Sequence, residues 1–162
     1  MATYVRPGQL GIAVPTYELV GASTAEMRAE LQDYKNVGAN WVRIDFSWGE
    51  IQEVANGSYN WAHFDDIVNT INSYGLEIVG VLGKIPNWAG TTMSTASGQA
   101  AYGAFAKAAA QHFGDRVDFW EMINEPNKEG ITATNYTKAL KAGYEGIKAI
   151  DSGDTVISGG LS

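Results

Sequence analysis

Asn124 and Glu125 stand side by side immediately ahead of Pro126, at the end of the run Val117 to Ile123. That pairing sets a hydrogen-bonding amide beside a carboxyl able to give up and take back a proton, which is the equipment of general acid/base chemistry. Other chemistry-bearing side chains gather at similar places. Arg43, Asp45, Ser47 and Trp48 follow one apolar run, Lys84, Asn87 and Trp88 follow another, and Asn127 lies just beyond Pro126. Polar and aromatic groups collected where buried strands end are the arrangement by which α/β folds build sites.

The elements that must position these residues follow one rhythm. Leu10 to Val14 reads as a first strand ended by Pro15, with Gln9 at its start. Ser23-Thr24-Ala25-Glu26 has the capping-box pattern of a helix start, and Gly38 suits its end. Trp41 to Phe46 is a second strand, and Phe64, Ile67, Val68 and Ile71 form the stripe of a second helix closed by Gly75. Leu76 to Leu82 is the third strand. The third helix carries Tyr102, Phe105, Ala106, Ala109 and Phe113, closed by Gly114. In the fourth strand Phe119, Trp120, Met122 and Ile123 suit a sheet covered on both faces, and Pro126 stops the ladder. A fourth helix begins near Thr134, with Tyr136, Leu140, Tyr144 and Ile147 expected on one side, and Thr155 to Gly160 is a fifth strand. Parity on a regular fourth strand puts Glu121 and Glu125 on one face and Asn124 on the other, so a twist or bulge near Ile123 is expected.

Strand and helix alternating about every 35 residues imply parallel strands joined by right-handed crossovers, in a single domain spanning residues 1–162. Two architectures fit: half of an eight-stranded (β/α) barrel, four strand–helix units plus a fifth strand, or a flavodoxin-like open sheet. A nucleotide-binding open sheet needs a phosphate-cradling loop after its first strand. Here that loop, Val14 to Gly21, is bulky and acidic, so the half barrel is favoured.

Composition removes several classes. The 18 acidic and 11 basic residues give a net charge of -7 with no basic run, which excludes nucleic acid and anionic membrane as expected partners. No apolar run reaches the roughly 20 residues of a membrane span. Cys is absent, and His63 and His112 have no metal-spaced partner, so neither metal nor cofactor is expected. The start Met1-Ala2-Thr3 shows no leader and fits a mature secreted chain; the compartment stays open, with an extracellular one suspected. Trp41, Trp61 and Trp120 are expected in the core.

The sequence resembles the N-terminal half of a clan A glycoside hydrolase, in the broad cellulase, β-xylosidase and α-L-iduronidase-like group. Val42 to Trp48 is similar to that clan's second strand, and Ile51-Gln52-Glu53 with Gly57 to Trp61 to its entry into the second helix. Pro86-Asn87-Trp88-Ala89 resembles the exit of strand three, Asn124-Glu125-Pro126 the acid/base signature, and Ser158-Gly159-Gly160 strand five. The resemblance implies a retaining mechanism in which Glu125 is the general acid/base. Asn124 would bond a sugar hydroxyl, Arg43 would hold and tune the second carboxylate, and Trp88 and Trp48 would offer faces to sugar, with Asn127 a further substrate contact.

A retaining glycosidase needs two carboxyl groups about 5–5.5 Å apart, one protonated and one ionised. Glu125 at an apolar strand exit is placed for a pKa raised by desolvation. The clan's second carboxylate comes from strand seven, so the expectation is half of a mechanism. A carbohydrate substrate is implied, together with a second half barrel, either the chain's own copy or a C-terminal half, and little or no turnover alone.

Overall fold

The computed structural model describes residues 8, 10–15, 18, 19 and 22–162. Gln9, Thr16, Tyr17, Val20 and Gly21, on which parts of the expected first strand and loop fall, lie outside the described residues, as do residues 1–7.

Among the described residues the sheet holds β1 (Gly11–Val14), β2 (Trp41–Ser47), β3 (Glu77–Gly83), β4 (Phe119–Met122) and β5 (Thr155–Ser158). The strands are parallel and lie in the order β1-β2-β3-β4-β5. That order decides the architecture. A flavodoxin-like sheet reverses direction at a switch point, in the order 2-1-3-4-5, whereas a sheet that never reverses curls toward closure. The open-sheet alternative is therefore corrected: the fold is half of a (β/α) barrel.

The α-helices with bounds among the described residues are α1 (Thr24–Asn36), the short α2 (Trp48–Ile51), α3 (Ala62–Ser73), α4 (Ala96–Phe113) and α5 (Ala133–Lys148). Ser23 opens α1 as a capping box: its Oγ accepts from the Glu26 N–H, and its own N–H donates to Glu26 Oε2 at 2.8 Å. On α3, Phe64, Ile67, Val68 and Ile71 are buried, as their spacing predicts. They and the α4 rings pack against the even-numbered residues of β2, where Phe46 meets Phe64 at 5.2 Å and Phe113 at 4.9 Å.

Two placements differ from expectation. On α5 the buried residues are Ala139, Gly143 and Ile147, while Tyr144 is 49% exposed. The cause is the close approach of α4: a Cβ on Gly146 would stand 2.4 Å from the Gly103 carbonyl, so small residues, not aromatics, fill the contact. Trp41 is not part of the helix-side core. It lies on the opposite face, edge-on to Phe119 at 4.7 Å.

That opposite face is the one a closed barrel would turn inward. Register aligns Ala13, Arg43, Val79, Phe119 and Thr155 in one row, and Asp45, Val81, Glu121 and Ile157 in the next. The face is mainly apolar, with Arg43, Asp45 and Glu121 set into it, and many of its side chains are partly exposed.

Candidate active site

The fourth strand does not leave the sheet in extended form. Ile123 has φ 58° and Glu125 φ 44°, both in the left-handed region. For a β-branched residue such as Ile123 this is an outlier costing about 1–3 kcal/mol, and such strain persists only where surroundings over-determine it. It supplies the irregularity that strand parity requires. After Ile123 the Asn124 side chain reaches the same charged cluster as Glu121, three residues earlier.

Arg43 organises that cluster. Its Nε donates to Glu121 Oε2 at 2.7 Å, and its Nη2 donates to Glu121 Oε1 and to Asn124 Oδ1, each at 2.8 Å. A planar guanidinium is suited to this fork, whereas an ammonium would supply a point charge. Hydrogen bonding to Glu121 holds the Arg43 pKa above its ordinary value, against the opposing effect of burial. Because Asn124 Oδ1 is occupied by Arg43, the amide's Nδ2 is the group left to donate outward. Asp45 lies on the same face, and burial raises its pKa, with Arg43 and then Lys84 opposing the shift.

Glu125 sits at the rim. Its side chain is 34% exposed and its Oε2 lies 3.3 Å from Lys128 Nζ. This is a wetter and more cationic setting than the apolar exit anticipated from sequence. Its carbonyl accepts from the Lys128 N–H at 2.8 Å, which turns the chain directly after the carboxyl. Beside it, Asp45, Gly83, Lys84, Ile123, Asn124 and Glu129 line a depression of about 30 Å³. Ligand pockets commonly run to roughly 300–1,000 Å³, so this depression is too small to enclose a ligand by itself. Among the described residues no group of three or more His, Asp or Glu is arranged to hold a metal ion.

Trp48 cannot offer a face to sugar. It is 0% exposed, stacked on Phe105 at 5.1 Å and met edge-on by Trp88 at 5.1 Å, and its Nε1 donates to Gln52 Oε1. The short helix α2 begins at Trp48 itself and carries the ring into the helix-side core. Trp88 is half-buried above it, with Nε1 donating to the Gln52 carbonyl at 3.2 Å. Asn127 is exposed and its Nδ2 donates to the Ser162 carbonyl at 2.9 Å, apart from the arginine cluster. Of the residues picked out from sequence, the structure thus joins Arg43 to Asn124 and sets Glu125 beside them.

A family model described as Cellulase (glycosyl hydrolase family 5) matches residues 11–162. The chain belongs to that family. Among solved structures, a family 39 glycoside hydrolase from Bacteroides cellulosilyticus aligns at TM-score 0.75 and 20% identity, covering 92% of this chain and 31% of that one. An endoglucanase from Thermotoga maritima aligns at TM-score 0.72 and 19% identity, covering 94% of this chain and 52% of that one. At these identities the likeness is one of fold. A chloroplastic β-amylase from Arabidopsis thaliana is 30% identical over 56 residues, which are 35% of this chain and 10% of that protein. The family 5 chain therefore spans about a third to a half of the solved relatives and a tenth of the amylase.

Two residues at the candidate site of this family 5 chain do not stand out in its sequence. Glu121 was readable as a carboxylate inside an apolar strand, but not as the partner of Arg43, because the two are 78 positions apart. Tyr136 was read as part of a helical stripe. In the structure its hydroxyl donates to the Met122 carbonyl at 3.0 Å and accepts from the Gly159 N–H at 2.6 Å. Nothing in its spacing announced that role.

Proposed function

We propose that this chain supplies the acid/base half of a retaining glycoside hydrolase that cleaves O-glycosidic bonds, with Glu125 as general acid/base. The observation that carries the reading is the backbone turn at Ile123, which sets Asn124 against Arg43 and leaves Glu125 next to them at one rim. Backbone strain in a β-branched residue is of the kind that clusters at active sites and ligand clamps. In this reading Glu125 protonates the leaving oxygen and then activates water, and Asn124 Nδ2 donates to a sugar hydroxyl. Arg43 holds its charge beside them, and the half-buried Trp88 offers a ring to the sugar. The depression of about 30 Å³ supports the view that a second set of loops completes the cleft and brings the nucleophile. Glu121 is not assigned that role, since its side chain is only 8% exposed inside the sheet.

The test is hydrolysis of aryl β-glycosides by the purified chain, alone and mixed with a polypeptide carrying the later strands of a family 5 barrel. The reading expects turnover only in the mixture, lost in Glu125→Gln. Turnover in the mixture that survives Glu125→Gln rejects the acid/base assignment. Glu125-dependent turnover by the chain alone rejects the need for a second half.

A second reading, a non-catalytic half barrel that assembles with its own copy, is favoured by the inward face, where Trp41, Val79, Phe119 and Ile157 are only partly buried. Sedimentation of the pure chain distinguishes a monomer from a dimer.

A further inference from the structure

We propose that Tyr136 is a positioning residue for Glu125, holding the left-handed turn of β4 in place through a hydroxyl shared between β4 and β5. The inference rests on the reading of Glu125 as the acid/base and identifies what aims it.

Ile123 occupies a backbone conformation that it would not adopt unaided. Something must over-determine it. From the sheet side, the Ile123 N–H donates to the Leu82 carbonyl at 3.2 Å, and the same carbonyl accepts from the Tyr102 hydroxyl at 2.8 Å. From the α5 side, the Met122 carbonyl, adjacent to the turn, accepts from the Tyr136 hydroxyl. That oxygen in turn accepts from the Gly159 N–H just past β5. Burial raises the Tyr136 pKa, so the phenol stays protonated and keeps its donor.

Gly159 is part of the same device. A Cβ there would stand 1.8 Å from the Ile123 carbonyl oxygen and 2.9 Å from that of Met122. The exit of β5 therefore presses on the turn directly, while Tyr136 ties the two exits together from behind. Tyr102 bonds the Leu82 carbonyl on β3 and also meets Met122 Sδ at 3.5 Å on β4, but among the described residues it makes no bond to the β5 exit. Of the two tyrosines, Tyr136 is the one that couples the Ile123 turn to the exit of β5.

The experiment compares Tyr136→Phe and Tyr102→Phe in the full chain. Amide hydrogen exchange is read at Ile123, with Ile44 as internal reference, and the Glu125 carboxyl titration is followed by carbon NMR. Losing one hydrogen bond predicts Ile123 exchange faster by up to about tenfold in Tyr136→Phe, with Ile44 unchanged. The same variant should shift the Glu125 midpoint, and Tyr102→Phe, which leaves the tie to the β5 exit intact, should shift it less. Gly159→Ala, which crowds the same carbonyls with Tyr136 intact, should also shift it. The inference is overturned if Tyr136→Phe leaves both readouts unchanged, or if Tyr102→Phe moves the Glu125 midpoint as far, since that would mean general loosening. These readouts do not depend on turnover. Failure of the glycosidase reading shows as no Glu125-dependent cleavage in the mixture assay, and failure of the positioning role shows as an unmoved Glu125.

Discussion

Arg43 reaches past β3 to grip Glu121 with two parallel hydrogen bonds, at 2.7 and 2.8 Å. The two partners are not equally sheltered: the Glu121 side chain is 8% exposed and that of Arg43 32%. Removing the arginine strands a buried carboxylate, which costs about 3–5 kcal/mol when a buried pair is broken. Removing the carboxylate leaves a guanidinium that can still reach water, so Glu121→Gln should cost less, about 1–2 kcal/mol. Urea unfolding of Arg43→Gln, Glu121→Gln and the double variant Arg43→Met/Glu121→Leu measures this. The double variant should be more stable than Arg43→Gln; equal losses in the two single variants would contradict the asymmetry.

Asp45 should impose a pH dependence of definite sign. Burial raises its folded-state pKa above the roughly 3.9 of an unfolded Asp. Between those two values the native state binds more protons than the unfolded one. Its contribution to stability is therefore present below the unfolded pKa and lost as pH rises through the folded one. Asp45→Asn should gain on the unmodified chain as pH increases through that window. Melting curves from pH 3 upward report the difference, and a gain on acidification would refute the sign.

The two tryptophans at the β2 and β3 exits should separate stability from binding. Trp48→Ala empties a fully buried ring position and should cost about 3–5 kcal/mol. Trp88→Ala should cost less, because that ring is only half-buried. In the complemented protein, Trp88→Ala should weaken glycoside affinity while Trp48→Phe leaves it intact. Denaturant midpoints and isothermal titration with an oligosaccharide give the two quantities, and unchanged affinity in Trp88→Ala removes it from the site.

Gly80 marks a position where the helix-side core has no spare room. A Cβ there would lie 2.8 Å from the Phe46 ring and 3.1 Å from that of Trp120. Both rings are fully buried and cannot swing away, so Gly80→Ala should destabilise by about 1–3 kcal/mol. Thermal unfolding checks it; a variant as stable as the parent would mean the rings relax.

The strand–helix rhythm was legible because each element announces its own ends: the Ser23 capping box, the α3 stripe, and Pro126 after β4. The need for a twist at Ile123 was also legible, since strand parity is strict. The burial of Trp48 was not, because an aromatic at a strand exit faces substrate or core according to the next turn of chain, and here a helix starts on it. The α5 stripe misled for a related reason. Periodicity finds a face, but which residues on it touch a neighbour depends on how near Gly103 and Gly146 let α4 come. The Arg43–Glu121 bond is a matter of register between strands, and no local pattern contains it.

The described sheet counts five strands, and five is an awkward number for symmetry. A ring of eight wants three more, so a complementary segment and a second copy are not equivalent ways to finish it. Two copies joined edge to edge would bring ten, and girth grows with strand number. A ten-stranded ring would be too wide for Val79, Phe119 and Ile157 to fill. A copy-to-copy assembly with a packed interior would have to expel one strand from each subunit, and β1 and β5, four residues each and paired on one side only, are the two that could leave.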